Sequence, residues 1–202
     1  MRRPALRQRG VAAVELALLL PMLVVLLLCA IDGARALQAN IIMTNISREG
    51  ANLVARGSTD LESGSQDIIY ALMASAPPLD VKRQGMMYIT TVMGTNTNGV
   101  NRNVVLDQYR WDDAARGLGF SVSKYAPVSR MYNCSSWKNG RCGNISATSR
   151  PTAPVLTGKL DDGEVVYVVE TYYRFDMLVA PFTSGVNALP MFGPDLYSMT
   201  VF

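Results

Sequence analysis

Val11-Ala12-Ala13-Val14-Glu15-Leu16-Ala17-Leu18-Leu19-Leu20-Pro21-Met22-Leu23-Val24-Val25-Leu26-Leu27-Leu28-Cys29-Ala30-Ile31, set behind the basic run that ends at Arg9-Gly10, decides how the chain is read. At about 1.5 Å per helical residue this stretch reaches roughly 30 Å, the hydrocarbon thickness of a bilayer. The spacing predicts one membrane-spanning helix over 11–31. A secretory signal also begins with a basic stretch and an apolar run. Here the run is longer than such signals use, lacks a small-x-small cleavage site before Asp32, and carries a carboxylate in its first turns.

That carboxylate, Glu15, costs on the order of a few kcal/mol in lipid, less near the headgroups than at mid-depth. Two readings meet the cost. A cut between Gly10 and Val11 creates an ammonium one helical turn from Glu15, on this chain or a neighbour, and Glu15 becomes a docking charge. Alternatively Glu15 snorkels or protonates at the interface. Pro21 removes one backbone hydrogen bond inside the span and predicts a kink or a loosened turn, which membrane helices tolerate.

The run Gln8-Arg9-Gly10-Val11-Ala12-Ala13-Val14-Glu15-Leu16, with Pro21 and, downstream, Thr44-Asn45-Ile46-Ser47-Arg48-Glu49-Gly50-Ala51, resembles the TadE-like family. These are minor pseudopilins of the bacterial tight-adherence (Flp) pilus. The resemblance covers about the first 50 residues. It implies a prepilin peptidase that cuts after Gly10, Val11 as the mature N-terminus, Glu15 as the assembly charge, and Arg48, Glu49 and Gly50 as a family motif. Two positions depart from the pattern: Leu16 stands where an aromatic is common, and Ser47 where alanine is usual. Implied partners are the peptidase, other pseudopilins and the major pilin of the Tad/Flp system, and the inner-membrane assembly platform, besides membrane lipid.

The 202 residues, 49% hydrophobic, allow one span and one modest folded domain. Formal net charge is +3, but Arg2, Arg3, Arg7 and Arg9 supply more than all of it, so the body is near neutral and nucleic-acid binding is disfavoured. The same arginines predict a cytoplasmic N-terminus and a periplasmic C-terminal domain. With no histidine in the chain, the commonest general base and metal ligand are missing. No enzyme activity and no cofactor are expected. Cys29 lies in the span, while Cys134 and Cys142 bracket a short polar loop. In an oxidising compartment they read as a local disulfide, with two free thiols as the alternative; without histidine they make a poor zinc site.

In chain order, the reading divides residues 1–10 as a basic leader, 11–31 as the span, 32–57 as a periplasmic continuation of the helix, and 58–202 as a periplasmic α+β domain. Ala34, Leu37, Ile41, Ile42, Ile46 and Leu53 are expected to form the apolar face of the continuation, and Arg35, Gln38, Asn45, Arg48, Glu49 and Asn52 its wet side. Gly57 is a candidate helix cap. Thr59-Asp60-Leu61-Glu62 has the form of a capping box, before a second, shorter helix ending ahead of Pro77-Pro78. Met87–Met93 and Val104–Trp111 read as antiparallel strands joined by an Asn/Gly-rich turn over Gly94–Asn103. Residues 114–163, dense in Gly, Ser, Asn and Pro, read as an exposed excursion. Glu164–Phe175 alternates with both faces largely apolar and is expected to be a central strand, paired with a terminal strand over Tyr197–Phe202.

The expected fold is therefore α+β: a long N-terminal transmembrane and amphipathic helix, a short second helix, then a small antiparallel sheet, as in pilin-like proteins. The leading functional expectation is a minor pseudopilin acting in pilus assembly. Its rival is an unprocessed, single-pass, membrane-anchored periplasmic binding or sensor protein.

Overall fold

Strand-forming residues with apolar groups on both faces belong in the middle of a covered sheet, and Val165–Arg174 takes that place. The structure, a computed structural model, describes residues 9–56, 61–74, 76–97, 99–111, 125–178 and 195–202. Helix α1 runs from Arg9 to Arg56, α2 from Leu61 to Ala74 and α3 from Val81 to Gln84. The strands are β1 Gly85–Thr97, β2 Val100–Arg110, β3 Trp137–Lys138, β4 Arg141–Cys142, β5 Val165–Arg174 and β6 Asp195–Val201. They form one antiparallel sheet in the order β3-β4-β2-β1-β5-β6. The α+β arrangement expected from the sequence is the one observed.

The chain divides into two compact units, Met1–Gln38 with Asp176–Phe192, and Ala39–Phe175 with Gly193–Phe202. In the first, every described side chain from Ala12 to Ile31 is exposed except Leu28, which is half-buried. Asp32 is buried there and accepts an ion-paired hydrogen bond from Arg35 at 3.1 Å.

The second unit is built on the sheet. The α1 residues buried in this unit are Ala39, Met43, Ile46, Ser47, Gly50, Ala51 and Val54, spaced as one helical stripe, and Met43, Ser47 and Gly50 among them meet β5. Ser47 Oγ donates to the Val169 carbonyl at 3.1 Å and accepts from Thr200 Oγ1 at 2.9 Å, and Thr171 Oγ1 donates to the Met43 carbonyl at 3.4 Å. This stripe corrects the sequence expectation. Of the six residues assigned to the apolar face only Ile46 is buried; Ile42 is half-buried, and Ala34, Leu37, Ile41 and Leu53 are exposed. A helix lying on a sheet needs close approach, and small side chains permit it. The polar side was read correctly, since Arg35, Gln38, Asn45, Arg48, Glu49 and Asn52 are all exposed.

Helix α2 ends before Pro77, as expected, and buries Ile69, Leu72 and Met73. Its Tyr70 ring stacks on Trp111 with centroids 6.0 Å apart. Gly57 and the first half of the capping box, Thr59-Asp60, lie outside the described residues.

Strands β1 and β2 pair from Tyr88↔Arg110 to Thr97↔Val100. The turn read over Gly94–Asn103 is therefore mostly strand, pairing runs up to Thr97↔Val100, and Gly99 has φ +78°. Asn-Gly is the sequence that two-residue hairpins favour. Gly94 sits inside β1 because a Cβ there would collide with the Asp161 carbonyl oxygen. Gly94 and the 161–164 turn exchange backbone hydrogen bonds instead, Gly94 N to Glu164 O and Gly163 N to Gly94 O.

Residues 125–163 are mostly exposed, as expected, but a few of them turn inward. Met131, Ala153 and Leu160 from this stretch are buried against Val92, Val105, Val166 and Val168, closing the sheet face opposite to the one Ser47 and Met43 contact. Isolated apolar residues in a Gly/Ser/Asn/Pro-rich segment carry no period, so the burial left no pattern to read. As expected, β5 lies between two strands, buried from Val166 to Tyr173 apart from half-buried Tyr167, and β6 pairs with it.

Candidate functional site

Helix α1 carries most of the residues singled out by sequence. Gly10 and Val11 stand in its first described turn. Glu15, one turn on from Val11, is exposed. Pro21 lies within the helix, which continues on both sides of it. Around these residues the apolar side chains face outward, Leu18 at 74% exposure being the extreme. The helix contains a stretch from Ala12 to Val54 long and apolar enough to cross a membrane.

The motif Arg48-Glu49-Gly50 divides between two surroundings. Gly50 is buried where α1 meets α2 and β5, and a Cβ there would stand 2.9 Å from Leu72 Cδ1 and 3.3 Å from Val169 Cγ1. Ser47 and Ala51 flank it on the same side. Arg48 and Glu49 face away and are exposed. The small residues of the motif thus set helix-to-sheet spacing, and the two charges are left on the outer surface. Ser47, which departs from the family's usual alanine, has its own use in the two hydrogen bonds to β5 and β6 described above.

Cys134 and Cys142 are joined in a disulfide with Cα atoms 5.9 Å apart. The bridge closes the β3–β4 hairpin, whose turn is Asn139-Gly140 at φ +50° and +80°. Positive φ at both central residues is the mirror-image turn that suits strand twist. The sequence signal for this hairpin was present in the Asn-Gly pair, but each strand is only two residues long and escaped the reading. Cys29 is free and exposed, in α1.

Glu170 is the polar residue that sequence reasoning passed over. It is fully buried in β5, and its carboxylate accepts from Ser129 Oγ, from the Arg130 amide at 3.0 Å, and from the Tyr172 and Tyr197 hydroxyls at 3.0 and 3.1 Å. Burial first and the Glu170 charge second push both tyrosines well above the ordinary range. Ser129 Oγ in turn accepts from Gln108 Nε2 at 2.9 Å and from the Met131 amide at 3.2 Å. A carboxylate engaged by four donors is fixed in place. Its effect is to pin residues 129–132 to the sheet, because stripping a buried charge of its donors is costly. An alternating strand with a single acid, Glu170, on the same face as Val166 and Val168 was the available signal.

Among the described residues no group of three or more His, Cys, Asp or Glu is arranged to hold a metal ion.

Residues 10–52 match the family described as TadE-like protein, a match that spans α1 from Gly10 to Asn52 and stops short of the sheet. No curated protein and no solved structure matches the chain.

Proposed function

We propose that this chain is a minor pseudopilin acting in assembly of a tight-adherence, Flp-type type IV pilus. The observation that carries this reading is the coincidence of the TadE-like match, residues 10–52, with a helix whose apolar side chains from Ala12 to Ile31 are left exposed. A prepilin peptidase removes the leader after Gly10. The Gly10–Val11 bond lies in a helical turn, and a protease needs extended backbone; glycine, about 1 kcal/mol poorer than alanine in a helix, makes that turn easy to unwind. The basic leader holds the N-terminus in the cytoplasm, and the sheet unit lies in the periplasm.

Once cut, the chain carries an ammonium at Val11 and a carboxylate at Glu15. In surroundings of low dielectric the pair attracts more strongly than in water, and a neighbouring pilin-like helix presents the same two charges. Pro21 supplies a turn lacking one backbone bond, at which the helix bends on packing. Partners are other pseudopilins, the major pilin and the inner-membrane assembly platform. The role is structural and involves no bond chemistry.

The Glu15→Gln variant keeps side-chain shape and removes the charge. At equal expression, membrane insertion is retained or slightly improved, while copurification with pilin-like partners and piliation fall. Unchanged partner capture with normal pili would contradict the docking role of Glu15.

A further inference from the structure

On the side of α1 turned away from its buried stripe, Ile41, Asn45, Arg48 and Asn52 follow one another at alternating intervals of four and three residues, and all are exposed. That alternation is the heptad spacing by which two helices pack along a common seam. The stripe from Ala39 to Val54 that meets the sheet occupies the other side of the helix, so the seam is open to a partner.

The charges on this side are left without counterparts in their own chain. Three and four residues from Arg48, where a helix pairs its charges, stand Thr44, Asn45, Ala51 and Asn52; around Glu49 stand Asn45, Ile46, Asn52 and Leu53. Neither set holds an opposite charge. The side chains of Asn45, Arg48, Glu49 and Asn52 make no hydrogen bond or ion pair with any described residue.

A second copy of the chain supplies what is missing. Two copies held in one bilayer by the same apolar stretch have parallel α1 helices at equal depth, so each seam residue meets its own counterpart. In that register a side chain at position 48 enters a hole bounded by residues 45, 48, 49 and 52 of the facing helix. Each Arg48 guanidinium therefore reaches the other copy's Glu49 carboxylate, which offsets the approach of the two guanidiniums. The Asn45 and Asn52 amides meet their like, and an amide, carrying both donors and an acceptor, is complementary to a copy of itself. Polar residues on a seam fix register and partner number at some cost in strength.

We propose that the face of α1 bearing Ile41, Asn45, Arg48, Glu49 and Asn52 pairs with the same face of a second copy of this chain, parallel and in register. The pairing shares with the assembly role its reliance on α1 crossing the membrane, but needs neither leader cleavage nor Glu15.

The test places the full chain, with Cys29→Ser, in liposomes of zwitterionic lipid, oxidises it with copper phenanthroline and reads dimer on a non-reducing gel. Flotation with the liposomes reports anchoring separately from pairing. Asn45→Cys and Asn52→Cys each give a cross-linked dimer, whereas Leu53→Cys, exposed but one position off the seam, stays monomeric. By sedimentation in detergent, Arg48→Glu weakens self-association about tenfold, because both reciprocal contacts turn repulsive, and adding Glu49→Arg restores it. Floated chain that gives no dimer at positions 45 and 52, or equal dimer at 45, 52 and 53, overturns the proposal. A double variant that associates as weakly as Arg48→Glu alone also overturns it.

Discussion

Helix α1 meets two surroundings along its length. From Ala12 to Ile31 its surface is bulky and apolar and, Leu28 apart, exposed, whereas from Ala39 to Val54 the covered stripe is made mainly of alanine, serine and glycine with Met43, Ile46 and Val54 between them. The contrast shows that side-chain size, and not only polarity, is set by what lies opposite. Lipid or a partner helix accommodates leucines of any rotamer; a sheet reached through Ser47–Val169 and Gly50–Val169 contacts excludes them.

The largest expected effect breaks the contrast within the second region. Met43→Ala removes a side chain 1% exposed and costs about 3 kcal/mol, transfer and cavity together. Ile41→Ala, two positions away at 62% exposure, changes stability by less than about 0.5 kcal/mol. Denaturant unfolding of both variants in detergent checks the pair, and equal losses would contradict the assigned face.

Next in size is a glycine pair, Gly50 in the covered stripe and Gly33 just beyond Ile31. Gly50→Val drives a branched side chain into Leu72 and Val169 and destabilises by about 2 kcal/mol. At Gly33 an added Cβ meets nothing within 4 Å, so Gly33→Val leaves the same unfolding midpoint within error. If both shift alike, Gly50 does not set the helix-to-sheet spacing.

A smaller effect sharpens the comparison by pH. None of the nine tyrosines lies in α1. Outside it, burial pushes Tyr88 up to about 12, and raises Tyr109, Tyr125, Tyr172 and Tyr197 further. Unfolded tyrosine ionises near about pH 10, while the folded chain still holds these protons. Stability present below that pH is therefore lost as pH rises through about 10 toward 12 and beyond. Melting followed from about pH 8 to about pH 12 shows the decline, and Tyr88→Phe makes it shallower. A melting temperature flat over that interval would contradict these shifts.

Much of this molecule could be read from its residues. The Val165–Arg174 alternation, apolar on both faces, marked an interior strand, and the apolar stretch from Val11 to Ile31 marked the span-length part of α1. The half of α1 on the sheet was misread because the reading followed large apolar residues, and those are the ones the close approach turns outward: Leu37, Ile41 and Leu53. The cover over the opposite sheet face was missed for a different reason. Met131, Ala153 and Leu160 are placed by long-range packing and by the Ser129–Glu170 network, which joins residues 41 positions apart and has no local signature. At the candidate site Gly10, Glu15, Arg48, Glu49 and Gly50 were legible as a motif, within the matched residues 10–52. Their division into outward charges and an inward glycine needed the sheet to be seen.

The claim that the exposed part of α1 is an assembly handle rests first on the leader being cut. N-terminal sequencing of the chain purified from membranes of cells with active prepilin peptidase is the most direct measurement. The account predicts a first residue of Val11, with Glu15 fifth from the new terminus. A protein that retains Met1 through Gly10 under those conditions would contradict it.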